Sequence, residues 1–272
     1  MADVAPAVLI TGATSGLGRY LARQLAGSGW QVLAHGRDPA RVADLCAELG
    51  GTRGFVADLA SLGDVRDLAA RINAEVPRLD VLVNNAAVGF GAPGEGRQVS
   101  ADGHELRFAV NYLAPVLLTR LLVPLLTASA PSRVLNVGSI GQVAFDPADA
   151  EFEHGYQGAE AYRRSKLALA AFSFDLAGQL EAAKVTVNCS HPATLMNTAM
   201  VSRSGITPVS TLEQGGEATM RLITDPALDG VTGQFFDGLK TARARPEAYD
   251  PQFRAKLREV TDRMLSEASL TS

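Results

Sequence analysis

The sequence predicts an α/β fold: a doubly wound parallel sheet with helices on both faces, in three α/β/α layers and a single domain. Short aliphatic runs without polar alternation recur along the chain, and longer segments with helical periodicity separate them. Continuous apolar strands that alternate with helices are typical of a parallel sheet buried on both faces. Right-handed crossovers between such strands place helices on each side of the sheet.

The predicted elements alternate from the N-terminus onward. The strands are Ala7–Thr11, Gln31–Ala34, Gly54–Ala57, Val81–Asn84, Arg133–Val137 and Val185–Cys189, with Gly233–Phe236 as a last strand. The helices are Gly16–Ser28, Pro39–Leu49, Ser61–Ala74, a long one over Asp102–Ala128, and Ala159–Glu181. Ser61 suits the cap of the third helix, and Asp38 precedes Pro39 at the start of the second, as helix N-termini prefer.

The 272 residues are predicted to form one domain and a helical extension of it. Residues 1–240 contain all the predicted strands, and residues 241–272 follow them. In this extension, residues 250–266 carry apolar side chains at helical spacing, namely Phe253, Leu257, Val260 and Leu265. We expect one domain because the segments that could act as linkers show only weak compositional signs of a domain boundary.

Composition and charge argue against several classes of partner. The chain has 25 Lys and Arg against 29 Asp and Glu, a net charge of −4, which argues against a nucleic-acid or anionic-lipid partner. The two cysteines, Cys46 and Cys189, cannot build a disulfide framework and have no neighbouring ligands at metal-site spacing. We therefore expect no metal site.

Two further features bear on location. The N-terminus lacks the basic region and cleavage site of a signal peptide, so we expect a cytoplasmic protein. The longest apolar stretch, Leu113–Ala128, is interrupted by Arg120, Pro115 and Pro124 and falls short of the ~20 apolar residues of a membrane span. We expect no membrane span and a helix buried in protein.

Three long loops follow predicted strands. Residues 90–103, 141–158 and 191–216 come after the fourth, fifth and sixth strands. In a doubly wound sheet the carboxyl ends of the strands form the ligand-binding edge, and loops this long are often functional. We expect residues 141–158 and 191–216 to shape the substrate site. Residues 196–208 suit a lid or, alternatively, a packed surface loop.

A glycine-rich turn joins the first strand to the first helix. It reads Thr11-Gly12-Ala13-Thr14-Ser15-Gly16-Leu17-Gly18. Small residues let the backbone approach a phosphate, and the N–H groups and positive end of the following helix attract an anion. In this strand-turn-helix context the turn predicts a dinucleotide site made by Gly12, Thr14, Ser15, Gly16, Leu17 and Gly18.

Further motifs appear in order along about the first 240 residues. They are Asn84-Asn85-Ala86-Ala87, Asn111, Ser139, Tyr162-Arg163-Arg164-Ser165-Lys166, and His191-Pro192-Ala193 followed by Thr198. Together with the Gly-x-x-x-Gly-x-Gly turn, they resemble the short-chain dehydrogenase/reductase (SDR) family, although Ala87 and Ala193 stand where that family usually has glycine. Asp58-Leu59-Ala60-Ser61 and Phe152-Glu153-His154-Gly155-Tyr156 look like its retinol-dehydrogenase-like and protochlorophyllide-reductase-like branch.

The resemblance implies that residues 1–240 form a Rossmann-type NADP-binding catalytic domain. Besides the glycine-rich turn, it implies cofactor contacts from Asp58, Leu59, Asn85, Ala86, Ala87, Tyr162, Lys166, Pro192, Thr194 and Thr198. At the end of the second strand stands Arg37, whose guanidinium suits a ribose 2′-phosphate better than a bare ribose. We therefore predict NADP(H) over NAD(H); the alternative is a solvated Arg37 that only leads into the second helix.

The resemblance also implies a catalytic set: Asn111, Ser139, Tyr162 and Lys166. Tyr162 and Lys166 are four residues apart and share a helix face, and a free tyrosine needs a nearby cation to act as a base near neutral pH. Tyr162 would exchange the proton, and Ser139 would hold the substrate oxygen. Asn111 would carry a proton relay; alternatively it is a polar helix residue without a task, although an unpaired amide is costly in an apolar segment.

The predicted function is that of an NADP(H)-dependent oxidoreductase, a ketoreductase that transfers hydride between nicotinamide and a hydrophobic ketone or alcohol. The aromatic residues of 141–158 favour a bulky lipophilic substrate, although a surface loop could have the same sequence. Two alternatives are an NAD(P)-dependent secondary alcohol dehydrogenase and a nucleotide-sensing regulator without chemistry. His154 fits a plain loop histidine, and His191 fits the shaping of the pocket better than proton transfer.

The quaternary structure has two possible forms. In the family, the helices that carry Asn111 and Tyr162 commonly form a bundle between subunits, and apolar residues such as Leu117 and Phe172 on these helices are consistent with a homodimer or homotetramer. The same residues also serve as ordinary core. A monomer is expected if the C-terminal helix covers that face.

Overall fold

The computed structural model describes residues 5–92 and 94–267. Residues 1–4, 93 and 268–272, which belong to the predicted ranges 1–240 and 241–272, lie outside the described residues. Within the described part, eight strands form one sheet: β1 (Ala7–Ile10), β2 (Gln31–Gly36), β3 (Arg53–Val56), β4 (Val81–Asn84), β5 (Ser132–Val137), β6 (Val185–His191), β7 (Phe235–Asp237) and β8 (Lys240–Ala242).

The sheet order is β3-β2-β1-β4-β5-β6-β7-β8, with every neighbouring pair parallel except β7 and β8. Strand order reverses between β1 and β4, so the crevice at their carboxyl ends is the place where such a sheet binds ligands. The prediction of a doubly wound parallel sheet in a single domain is confirmed. The antiparallel edge strand β8 was not predicted, because three residues with exposed Lys240 carry no apolar pattern.

Helices pack on both faces of the sheet. They are α1 (Gly16–Gly27), α2 (Pro39–Glu48), α3 (Leu62–Glu75), α4 (Leu106–Ala128), α5 (Gly158–Leu180), α6 (Ala199–Arg203), α7 (Leu212–Thr224) and α8 (Pro251–Glu267). The predicted start of α4 at Asp102 is wrong. The first turns of the predicted helix instead form a loop in which Asp102 accepts a hydrogen bond from Leu62 N at 2.8 Å, and Glu105 caps α4 by accepting from Phe108 N at 2.7 Å.

The predicted loop 191–216 contains α6 and the start of α7, and α7 itself was not predicted. Gly215 and Gly216 lower its helix propensity by roughly 1 kcal/mol each. The structure uses these glycines for close packing, since a Cβ on Gly216 would overlap the ring of Tyr20 on α1. A capping box between Thr211 and Gln214 then starts the helix.

Alternating side chains of the strands divide the core into two layers. In β1, Val8 and Ile10 pack with residues of α1 and α7 on one face. Leu9 packs with residues of α3, α4 and α5 on the other face. Both faces of this strand are therefore buried, which explains its unbroken run of apolar residues.

The long apolar helix α4 lies inside this core. By length and composition its 23 residues would suit a membrane span, with a mean hydropathy of 1.6, but 72% of that apolar window is buried against the rest of the protein. It therefore has the surroundings of a core helix. The C-terminal helix α8 packs on it, where the Tyr112 and Thr261 hydroxyls are hydrogen-bonded at 2.7 Å.

Candidate active site

The glycine-rich turn between β1 and α1 has the backbone conformation that a close phosphate approach requires. Gly12 and Gly16 have φ angles of +66° and +48°, a region that favours glycine. A Cβ on Gly18 would overlap the carbonyl oxygen of Gly12, so α1 can start this close to β1 only with glycine there. Ser15 is the N-cap of α1, yet its side chain makes no capping hydrogen bond. Its hydroxyl and the first N–H groups of α1 are donors of the kind a pyrophosphate needs.

The turn is tied to the end of β4 by hydrogen bonds. The hydroxyl of Thr11 accepts from the backbone N–H groups of Asn85 and Ala86 at 2.9 and 3.0 Å. The Asn85 amide donates back to the carbonyl oxygen of Thr11 at 2.8 Å. Asn85, Ala86 and Ala87 thus lie at the same sheet edge as the glycine-rich turn, half-buried.

A buried histidine that the sequence analysis did not select supports the same turn. The N–H of Gly12 donates to Nδ1 of His35 at 3.3 Å, so Nε2 carries the proton and donates to the carbonyl oxygen of Ala57 at 3.2 Å. Burial lowers the pKa of His35 to about 4, which keeps the ring neutral at neutral pH. His35 therefore joins the carboxyl ends of β1, β2 and β3. Its one sequence signal is a polar ring inside an apolar strand.

Two arginines lie beside the turn at the end of β2. Arg37 is exposed, and Arg41 on α2 donates from its guanidinium to the carbonyl oxygen of Thr14 at 3.1 Å. The neighbouring carboxylate of Asp38 caps α2, accepting from Ala40 N at 2.9 Å. The Asp38 carboxylate is therefore hydrogen-bonded to the start of α2. Arg41 is a second cation beside the turn, and no sequence motif marks it.

Two of the predicted cofactor contacts, Asp58 and Leu59, follow β3. Asp58 is exposed and its carboxylate accepts from Ala60 N at 3.0 Å, whereas Leu59 is buried in the core. The Asp58 side chain thus closes its own turn, and Leu59 anchors that turn to the sheet.

Tyr162 and Ser139 meet where β5 ends against α5. The Ser139 side chain interacts with Tyr162, and Gly141 N donates to the Ser139 hydroxyl at 3.0 Å. Burial raises the pKa of Tyr162 to about 12, while the contact with Ser139 acts in the opposite direction. In this arrangement Tyr162 holds its proton, as a general acid must at the start of a carbonyl reduction.

Lys166 lies one turn further along α5 and is 2% exposed. Its Nζ lies 5.6 Å from the ring centroid of Tyr162 and donates to the carbonyl oxygen of Val137 at 2.7 Å. Burial lowers the pKa of Lys166 to about 8. The structure therefore brings Tyr162, Ser139 and Lys166 together, as predicted. Lys166 is hydrogen-bonded to the backbone of β5.

Asn111 lies in a π-helical turn, Ala109–Leu113, inside α4 and is completely buried. Its amide accepts from Val88 N at 2.7 Å and donates to Val88 O at 3.0 Å and to the Ser165 hydroxyl at 3.1 Å. The amide thus connects the segment after β4 to α5, where its partner Ser165 lies three residues after Tyr162. Such π turns in α-helices are frequent at functional sites.

The segment after β6 packs on the glycine-rich turn. A Cβ on Gly16 would lie 3.4 Å from the Thr198 methyl group, which places the start of α6 on the glycine-rich turn. Pro192 is buried, and the Thr194 hydroxyl lies 3.0 Å from Nε2 of His191. Burial lowers the pKa of His191, whereas His154 lies exposed in its loop. Among the described residues, neither of these histidines is hydrogen-bonded to the Tyr162 side chain.

Gln142, which no sequence motif marks, connects the C-terminal segment to this site. Gln142 donates from Nε2 to the carbonyl oxygen of Ser139 at 2.7 Å and accepts from Arg245 N at 3.0 Å. Gln142 is buried, so these contacts fix the backbone next to the Ser139 hydroxyl. No motif marks such a side chain, because its partners are backbone atoms and one of them, Arg245 N, is distant in sequence.

Comparison with known proteins identifies the family. A family model described as short chain dehydrogenase matches residues 6–207. The chain belongs to this family. It is similar to retinol dehydrogenase 14 of Mus musculus, with 36% identity over 95% of this chain and 85% of that protein. It is likewise 34% identical to retinol dehydrogenase 13 of Mus musculus, over 92% of this chain and 80% of that protein.

Other relatives and solved structures agree with this assignment. The polyprenol dehydrogenase of Mus musculus is 36% identical over 92% of this chain and 80% of its own length. Among solved structures, the RhlG/NADP active-site complex of Pseudomonas aeruginosa aligns with a TM-score of 0.71 and 28% identity, covering 86% of this chain and 95% of that one. The resemblance to the SDR family and its retinol-dehydrogenase-like branch is confirmed. Membership makes this chain an oxidoreductase of the class that uses a nicotinamide cofactor.

Proposed function

We propose that this SDR protein is an NADP(H)-dependent reductase of hydrophobic ketones and aldehydes, with Tyr162 as the general acid. The observation that supports this most is the meeting of Ser139, Tyr162 and Lys166 at the carboxyl edge of the sheet, next to the turn tied by Thr11 and Asn85. A regulator without chemistry has no need of this set.

The residues of the turn fit a dinucleotide. Small residues, positive φ angles at Gly12 and Gly16, and the uncommitted Ser15 side chain at the helix N-terminus form a donor set for a pyrophosphate. When bound, the nicotinamide cofactor would supply the hydride for reduction of the carbonyl carbon. Lys166 would hold the nicotinamide ribose, as the SDR resemblance implies.

Proton transfer is the task assigned to the protein side chains. The Ser139 hydroxyl would hold the substrate oxygen, and the Tyr162 hydroxyl would donate its proton to that oxygen as negative charge develops there. The ammonium of Lys166 would stabilise the phenolate that remains, because an opposite charge nearby favours ionised tyrosine. Asn111, through Val88 and Ser165, would keep the backbone around this proton path in place.

The test uses purified protein and NADPH. Oxidation of NADPH should occur with some member of a panel of hydrophobic ketones and aldehydes, and Tyr162→Phe should abolish it while NADPH binding persists. Tyr20→Phe is the matched control: Tyr20 lies on α1 and packs on Gly216 of α7, so this variant should retain activity. A Tyr162→Phe variant as active as the parent would refute the proposed mechanism.

The preference for NADP(H) rests on the two arginines. Arg37 and Arg41 lie at the end of β2 and beside the glycine-rich turn, and Asp38 is occupied as the cap of α2. A 2′-phosphate would thus meet two guanidinium groups and no competing free carboxylate from Asp38. Arg37→Ala and Arg41→Ala should each lower kcat/KM for NADPH by roughly tenfold or more and leave that for NADH nearly unchanged. Equal losses for both cofactors would contradict the preference.

A second candidate is oxidation of a lipophilic alcohol by the same site. Three relatives are named for the dehydrogenation of retinol or polyprenol, which are apolar alcohols. The residues of the site serve both directions, since Tyr162 can accept the proton it donates in reduction. Rates with NADP and retinol, against NADPH and retinal, decide which direction the enzyme favours.

A further inference from the structure

The aromatic side chain of Phe90 packs beside Tyr162, the proposed general acid. The rings of Phe90 and Tyr162 pack edge to face with their centroids 4.6 Å apart. Phe90 is half-buried and follows β4 by six residues. Because its ring touches the ring of Tyr162, a carbonyl group placed at the Tyr162 hydroxyl has Phe90 as a neighbour.

The segment after β6 packs on the residue next to Phe90. A Cβ on Gly89 would lie 2.5 Å from Cγ of Met200, so the Met200 side chain rests directly on the Gly89 backbone. Phe90 is therefore placed between α6 and Tyr162.

Buried Arg107 fixes the backbone of this segment. Arg107 is 1% exposed, and its Nε donates to the carbonyl oxygen of Gly89 at 2.8 Å. Its Nη1 donates to the Tyr156 hydroxyl at 2.5 Å, and that hydroxyl donates to the Glu105 carboxylate at 2.8 Å. Glu105 is also 1% exposed and lies 3.6 Å from the Arg107 guanidinium. The buried charges are thus paired and hydrogen-bonded, as their burial requires.

The same contacts fix Phe90 relative to α5. Gly158 is the first residue of α5, and a Cβ there would overlap the carbonyl oxygen of Phe90 and lie 3.1 Å from Nη2 of Arg107. The backbone of Phe90 therefore abuts the start of the helix that carries Tyr162. Arg107 connects both elements, and movement of its guanidinium would move the Phe90 ring against Tyr162.

We propose that Phe90 is a specificity-determining residue of the substrate site and that Arg107 is its positioning residue. The proposal rests on the carbonyl reduction proposed above. A planar unsaturated group attached to the carbonyl carbon gains an aromatic contact with the Phe90 ring, whereas a saturated ring of the same size gains burial alone. The substrate class is therefore a carbonyl compound conjugated to an aryl or alkenyl group.

The first experiment compares two ketones with the same carbon skeleton, acetophenone and cyclohexyl methyl ketone. Because their intrinsic reactivities differ, the quantity measured is the ratio of their kcat/KM values in each variant relative to the parent. Phe90→Leu should lower the ratio of aryl to cyclohexyl ketone by roughly 3- to 10-fold, the range that an aromatic pair contributes. Phe253→Leu is the matched control, because Phe253 on α8 is also half-buried and its ring packs edge to face on the ring of Phe145. An unchanged ratio in Phe90→Leu would overturn the assignment.

The second experiment tests Arg107. Arg107→Met alone would leave Glu105 as an uncompensated buried charge, so the double variant Arg107→Met with Glu105→Gln removes both charges together. It should lower the ketone ratio in the same direction as Phe90→Leu, with the Kd for NADPH unchanged. Tyr156→Phe, which removes one oxygen atom between the two charges, should give a smaller shift of the same sign. A lower melting temperature with an unchanged ratio in both variants would overturn the positioning role.

The two proposals fail in different ways. If the parent enzyme reduces neither ketone and oxidises neither corresponding alcohol, the carbonyl chemistry is wrong and the specificity assignment falls with it. If the parent is active and its ratio equals that of Phe90→Leu, the reductase function stands and the assignment of Phe90 alone is wrong.

Discussion

Replacing Lys166 with methionine should stabilise the folded protein while it removes activity. Lys166 is 2% exposed, and burial lowers its pKa from 10.5 to about 8. At about 1.4 kcal/mol for each tenfold change in proton affinity, holding this ammonium charged at neutral pH costs about 3 kcal/mol. The hydrogen bond to Val137 O returns about 1 kcal/mol. Methionine has a similar length and no charge, so the net gain at pH 7 should be about 2 kcal/mol.

The pH dependence gives this prediction a second readout. Between about pH 8 and the ordinary lysine pKa of 10.5, the folded protein binds fewer protons at Lys166 than the unfolded chain does. The parent protein therefore gains stability from this group as the pH rises through that window, and the methionine variant does not. The advantage of Lys166→Met should shrink from pH 7 to pH 10.5.

Urea unfolding followed by circular dichroism and by the fluorescence of the single tryptophan, Trp30, measures the difference at each pH. Lys240→Met is the control, because Lys240 is exposed on β8 and its replacement should leave the free energy of unfolding nearly unchanged. If Lys166→Met were no more stable than the parent at pH 7, the free-energy cost assigned to the buried ammonium would be wrong.

Three other outcomes are expected. His35→Leu should lower the free energy of unfolding by roughly 1–3 kcal/mol and weaken NADP binding, because Gly12 N–H and the Ala57 carbonyl lose their partner. An unchanged Kd in a titration with NADP would contradict the link between His35 and the turn. Glu151 raises the pKa of His104 by hydrogen bonding, so the contribution of this pair to stability is full below about pH 6.5 and is lost as the pH rises through the raised pKa. Glu151→Gln should remove this pH dependence of the free energy of unfolding between pH 5 and 8. An unaltered pH dependence would contradict the contribution assigned to the pair. Because α8 covers α4 and α5, sedimentation equilibrium should show a monomer, and a dimer would contradict this reasoning.

The sequence was most informative where local pattern and function coincide. Unbroken apolar runs such as Val81–Asn84 predict strands buried on both faces, and the structure has them in one parallel sheet. A parallel sheet brings its carboxyl ends to one edge, so residues after different strands, such as Asn85 and Ser139, were expected to share a site. Their common edge follows from topology, without knowledge of any contact.

Residues that act through distant backbone atoms could not be found in this way. His35, Arg41, Arg107 and Gln142 each form a hydrogen bond with a carbonyl oxygen or N–H group supplied by another part of the chain. Sequence alone shows such a side chain only as a polar residue in a strand, helix or loop. Helix α7 was missed for a related reason, because the close packing that its glycines permit against Tyr20 is tertiary.

Several residues that break local rules of folding lie at one edge of the sheet. A buried lysine on α5, a buried Arg107–Glu105 pair and a π turn around Asn111 each cost stability, and each touches the segment after β4, the end of β5 or the start of α5. Because selection for stability alone would replace such groups with apolar ones, their shared location is itself an argument that this edge serves chemistry.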